Sequence, residues 1–212
     1  MKKSNRKSFR HFVGLDLAAI EHRPTGFCLL MGMHVRTKIL YTDTEILEAI
    51  MNSNPVMVAI DAPLTLPKGR CCLKDDCTCR GNGHLRECDR AVRRLGIPIF
   101  ALSLGPMRIL TVRGMKIRDQ LDKERIPVIE TYPGGAQDLL GIPRQKDPTG
   151  LRKGLRGVGI EGDIRRRKIG CHELDAITCA LVAKEHQAGR SLILGDPNEG
   201  LMVLTGSTLS KR

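Results

Sequence analysis

Three apolar runs in this chain each end on a carboxylic acid: FVGLD at Asp16, VMVAID at Asp61 and IPVIE at Glu130. A run that is apolar on both faces reads as a buried strand, and an acid at its end sits where the sheet opens to solvent. A fourth acid, Asp175, lies near the start of HELDAITCALVAKEHQ, which is apolar nearly all round from Leu174 to Ala183, as in a helix buried against a sheet. If the three strands are parallel neighbours joined by right-handed crossovers, their ends lie about 5 Å apart. Carboxylates that close repel one another and take up protons unless cations bridge them. Hard oxygen donors select Mg²⁺ or Mn²⁺. Asp175 would be costly to bury on so apolar a helix without such a partner. Each acid taken alone also fits a plainer role, Asp175 at a helix N-terminus and Asp61 and Glu130 at strand-ending turns. The coincidence of four favours a metal site of Asp16, Asp61, Glu130 and Asp175, with Glu173 in reserve.

A second constellation has softer chemistry. Cys71, Cys72, Cys77, Cys79 and Cys88, with His84 close by, supply enough ligands for a tetrahedral Zn²⁺ site, for which Cys72, Cys77, Cys79 and His84 are the candidate set. The spacing fits paired C-x₂₋₄-C turns only loosely, and disulfides are the main rival. Cys28, Cys171 and Cys179 lie in apolar segments and read as inert core thiols.

The elements that must position these groups follow from periodicity. After the first strand come GFCLLMG (26–32) and HVRTKIL (34–40), an antiparallel meander with one wet face, and then a short helix, EILEAIMN, capped by Thr42 or Thr44. The strand ending at Asp61 leads into a loop, 62–84, rich in Pro, Gly and Cys. RECDRAVRRL places Cys88, Ala91, Val92 and Leu95 on one helical face, a second helix covers about 105–124, and the strand ending at Glu130 follows. Residues 141–170 are Gly-rich and basic and read as a mobile surface segment, whereas SLILG, DPNEG and LMVLT read as a C-terminal hairpin. This order implies an α/β protein with a mixed sheet covered by helices.

At 212 residues the chain suits one domain, 1–212, with a basic tail over 1–10 and the Cys-rich loop as an insertion. Its net charge of +12 favours nucleic acid as partner, since neutralised phosphates release counterions, although a solubility charge reads the same way. Aromatic residues make up only 3% of the chain, which argues for backbone contact over base stacking. No apolar run is long enough to cross a bilayer, and charge at Asp16 and Glu21 interrupts any signal-peptide core, so the expected location is cytoplasmic, with no membrane partner.

FVGLDLA with PTGF, VAIDAPLTLP, RECDRAVRRLGI, IETYPGG and HELDAITCALVA resemble, in order and over most of the chain, the motifs of the domain of unknown function 429 family. That resemblance implies a ribonuclease H-like fold with a five-stranded mixed sheet in the order 3-2-1-4-5, the acids Asp16, Asp61, Glu130 and Asp175, and nuclease activity. It also implies that the helix bearing Arg86, Asp89 and Arg90 lies over the same face.

Two metal ions at such acids would serve an in-line displacement at a phosphodiester. Arg86, Arg90, Arg93, Arg94 and Arg152, with the basic 152–168 segment, would position the phosphate backbone, or form no more than a solvated helix face and loop. The rival readings are a noncatalytic nucleic-acid-binding or scaffold protein, separable by its lack of metal affinity, and an actin-like ATPase. The ATPase needs two copies of the core and glycine-rich phosphate loops, and PTGF at 24–27 is a single turn.

Overall fold

The computed structural model describes residues 10–166 and 168–206, so the basic tail, apart from Arg10, lies outside the described residues. One sheet of eight strands organises them: β1 His11–Asp16, β2 Thr25–Met31, β3 His34–Leu40, β4 Met57–Asp61, β5 Val128–Thr131, β6 Glu161–Gly162, β7 Ser191–Asp196 and β8 Gly200–Thr205. Their spatial order is β6-β3-β2-β1-β4-β5-β8-β7. β1, β4, β5 and β8 are mutually parallel, whereas β1–β2–β3 form an antiparallel meander and β7–β8 an antiparallel hairpin. Five strands with a C-terminal hairpin or extra strands are expected from the sequence; the sheet has eight. The hairpin joins it through β8 on β5, and the two-residue β6 adds the other edge.

Helices cover both faces. Alternation along the strands sends Phe12, Cys28, Leu30 and Ala59 to one side, against α5 (Pro148–Gly157) and α6 (Cys171–Gln187). Val13, Leu15, Val58 and Ile60 face the other side, against α1 (Asp43–Ser53) and α3 (Gly105–Lys123). Between α1 and α3 in sequence, α2 (Glu87–Arg94) packs with Cys88 and Val92 on β8, as does Ala136 of α4 (Pro133–Leu140). Thr42 caps α1 through a capping box with Glu45, which satisfies donors at both residues.

Two sequence expectations change here. The 141–170 stretch is not a loose surface segment, because α5 begins at Pro148 with the Asp147 carboxylate accepting the Gly150 N–H, and Leu151 and Leu155, four apart, are fully buried. Helix α4 carries no clear sequence signal, since Gly134 and Gly135 weaken helical propensity.

Candidate active site

The site begins with an exact lateral match in β1 and β4: Phe12 pairs with Met57, and four residues later Asp16 pairs with Asp61. Two adjacent parallel strands thus end on two adjacent carboxylates on the same face. Helix α6 lies directly over that face because two glycines let it approach. A Cβ on Gly14 would stand 2.1 Å from the Ala176 carbonyl oxygen, and one on Gly26 would stand 2.0 Å from that of His172. PTGF is accordingly no phosphate loop. It opens β2 and makes room for the first turn of α6. The close approach brings His172 and Asp175 to the Asp16–Asp61 edge, where the three carboxylates are near enough to perturb one another although their oxygens do not all lie within 4.8 Å.

His172 Nδ1 lies 2.6 Å from Asp16 Oδ2, and this pair was not anticipated from the sequence. The hydrogen bond to Asp16, with the charges of Asp16 and Asp175, raises the His172 pKa. Asp175 is buried and accepts a hydrogen bond of 2.7 Å from Gln137 Nε2 on α4. Burial, reinforced by Asp16 and opposed by Gln137 and His172, pushes its carboxyl up to about 6. Asp61 is driven well above the usual carboxylate range, first by its close-packed surroundings and then by Asp16, Asp175 and Glu130. Asp61 and Asp175 face a cavity of about 600 Å³ whose walls also include Tyr132, Gln137, Arg144 and Lys146. Arg113, buried at the opposite face, fixes the chain leaving β1 by donating to the carbonyls of Ala18 and Tyr41 and pairing with Asp43.

Glu130 does not share the aspartates' face of the sheet, although its charge reaches Asp61 and both line a second cavity of about 250 Å³. β5 pairs Ile60 with Glu130 and Asp61 with Thr131, so alternation points Glu130 to the other face, one residue out of phase. There its carboxylate is held by Arg86 at 2.6 and 2.5 Å and accepts the Leu64 N–H. Arg86 is fully buried and uses all five guanidinium hydrogens, on Glu130, Asp89 and Thr65. The expected substrate contact at Arg86 is therefore corrected to an internal clamp between α2 and β5, and Glu130 to its counter-ion. The reserve ligand Glu173 is likewise occupied. It caps α6 by accepting the Gly170 N–H and pairs with Thr37 and Arg166.

The remaining arginines are spread out. Arg94 pairs with Glu87 at 2.6 Å, Arg90 approaches Glu87 only to 3.9 Å, and Arg93 donates to the Ile99 carbonyl. All three stay exposed on α2, and Ile99 itself borders the acid cavity. Arg152 donates to the Ile164 carbonyl, bracing α5.

Among the described residues, the groups of three or more candidate ligands whose atoms all lie within 4.8 Å of one another are Cys71, Cys72, Cys77 and Cys79, and the Cys88, Asp89 and Glu130 group already filled by Arg86. The four-cysteine set replaces the predicted Cys72, Cys77, Cys79 and His84, because His84 turns its Nδ1 toward Arg70 and Cys71 takes the fourth position. Cys28 and Cys179 are buried as expected, whereas Cys171 is partly exposed at the start of α6.

Over residues 14–199 the chain matches the family described as "Protein of unknown function (DUF429)", and it belongs to that family. No curated protein and no solved structure matches it. Among the described residues no helix is long and apolar enough to cross a membrane.

Proposed function

We propose that this protein is a divalent-metal-dependent hydrolase of nucleic-acid phosphodiesters, built on a ribonuclease H-like core. The observation that carries the reading is the pairing of Asp16 with Asp61 at the ends of adjacent parallel strands, with Asp175 on the helix packed over them. Their donors are hard carboxylate oxygens suited to Mg²⁺ or Mn²⁺. The repulsion that raises Asp61 and Asp175 is of the kind a divalent cation relieves. Asp16, Asp61 and Asp175 would hold the ion, which would supply Lewis acidity for in-line displacement at phosphorus.

The chain's own groups supply the rest. With Nδ1 donating to Asp16, His172 keeps its second ring nitrogen for proton transfer at the exposed edge of the site. Lys146 places positive charge on the cavity wall beside Arg144, which pairs with Asp138 and donates to the Tyr132 hydroxyl, and the +12 charge of the chain favours a polyanion. Glu130 contributes by fixing β5 through Arg86, not as a ligand.

The test is cleavage of single- and double-stranded DNA and RNA with Mn²⁺, Mg²⁺ or chelator, comparing wild type with Asp61→Asn. The reading expects cleavage that needs the metal and vanishes in the variant. No cleavage of any of these substrates, or equal cleavage by Asp61→Asn, overturns it. A second reading, a noncatalytic nucleic-acid-binding protein, draws on the partners Asp16 and Asp175 already have in His172 and Gln137. It predicts nucleic-acid binding indifferent to Mn²⁺.

A further inference from the structure

We propose that Cys71, Cys72, Cys77 and Cys79 form a closed four-thiolate site for one Zn²⁺ ion, which staples the segment joining β4 to α2. The segment is long for a connection inside a compact domain. Residues 62–86 contain a single turn of 3-10 helix, Thr78–Asn82, and Leu73 is the lone buried apolar side chain between Lys68 and Leu85. Connections of this length without secondary structure of their own are uncommon and need something other than a core to order them. The four sulfurs supply it. Cys71 Sγ and Cys77 Sγ are 3.6 Å apart, Cys72 Sγ and Cys79 Sγ are 3.9 Å apart, and all four lie within 4.8 Å of one another. Tetrahedral zinc with Zn–S bonds of about 2.3 Å sets its sulfurs about 3.8 Å apart, so both separations match the edge of that tetrahedron.

A second, independent feature is Arg70. It is buried, yet its guanidinium donates to the carbonyls of Cys72, Gly83 and Lys74 and touches His84; among the described residues no carboxylate lies within ion-pairing distance of it, and Asp75, the acid whose charge it feels, is itself paired with Arg108. A buried cation calls for nearby negative charge. Zinc with four thiolates carries a net charge of −2, which Arg70 complements from the surrounding shell while its hydrogen bonds hold the ligand loop in shape. Binding exchanges four thiol protons for the ion, with no change of oxidation state. With every coordination position taken by sulfur, the role is structural, not catalytic. The stapled segment carries Leu64 and Thr65, whose groups bond to Glu130 and Arg86, so the ion also braces the clamp behind the acid site.

The test uses the full chain purified with its thiols reduced, loaded with Zn²⁺ and dialysed, with metal content measured by mass spectrometry. The expected result is one zinc per chain in wild type and in Cys171→Ser, near zero in Cys72→Ser and Cys77→Ser, and four thiols newly reactive after chelation. Cobalt substitution should give the visible absorption of a tetrahedral thiolate site. Asp16→Asn should bind zinc like wild type, which separates this site from the acid site whatever becomes of the hydrolase reading. Zinc well below one per chain in the reduced wild type, or zinc retained by Cys77→Ser and lost in Asp16→Asn, overturns the proposal. So do Cys71–Cys77 and Cys72–Cys79 disulfides that persist in the reduced preparation.

Discussion

Replacing Asp175 by Asn should stabilise the metal-free protein near neutral pH. In the fold, burial and Asp16 raise this carboxyl from an ordinary 3.8 to about 6. A carboxyl whose folded-state pKa exceeds its unfolded value holds its proton more tightly when folded. Its contribution is therefore fully present below about pH 4 and is lost as pH climbs through about 6. At 1.36 kcal/mol per unit the loss comes to about 3 kcal/mol, and repulsion shared with Asp61 lowers what one substitution recovers to about 1–3 kcal/mol. Asn keeps the acceptor for Gln137 and removes the charge. Urea unfolding of both proteins with chelator, from pH 4 to 7.5, should give a difference near zero at the acid end that grows to that size by pH 7. For a domain of this length the same gain would raise Tm by about 2–4 °C per kcal/mol. Mn²⁺ should narrow the gap by stabilising the wild type alone. A flat difference across this range, or a less stable variant at pH 7.5, would refute the assignment of Asp175 to a buried, mutually repelling cluster.

Arg86→Lys should lose about 3–5 kcal/mol in equilibrium unfolding, because three donors on one point cannot replace five planar ones and Glu130 and Asp89 are left partly unpaired. A loss under 1 kcal/mol would show that the clamp is not needed. Gly14→Ala should cost at least about 1–3 kcal/mol by pushing α6 off β1, a change visible as lower Tm and weaker Mn²⁺ binding together. His172→Gln should move the acid limb of any pH–rate profile, since the raised histidine pKa places that limb; an unmoved limb would remove His172 from proton transfer.

Much of this arrangement is legible in the sequence. Asp16 and Asp61 stand out because apolar residues on both faces of β1 and β4 lead up to each acid at the end of a buried strand. Asp175 stands out for the same reason on α6, where Leu174 to Ala183 are buried throughout. Glu130 looks identical by that criterion and is misjudged, because a strand end fixes a position along the sheet but not the face, and β5 arrives one residue out of phase. Counting alternation back from Thr131 becomes possible only once the β4 partner is known. His172 is missed because an exposed residue at a helix start carries no periodic signal. The thiol set errs by one ligand, since adjacent Cys71 and Cys72 look redundant in a linear pattern, and only the folded loop turns them toward separate partners. Residues 141–170 look loose because their glycines and cations outnumber the two leucines that anchor α5.

The central claim is that Asp16, Asp61 and Asp175 hold a divalent cation. Calorimetric titration with Mn²⁺ tests it most directly, on wild type and Asp16→Asn stripped by chelator, freed of it, and then reloaded with one equivalent of Zn²⁺ so that the cysteine site takes no part. Wild type should bind Mn²⁺ saturably, and Asp16→Asn should lose that binding while its thermal unfolding stays cooperative. Absence of binding by the wild type, or equal binding by both proteins, would contradict the claim.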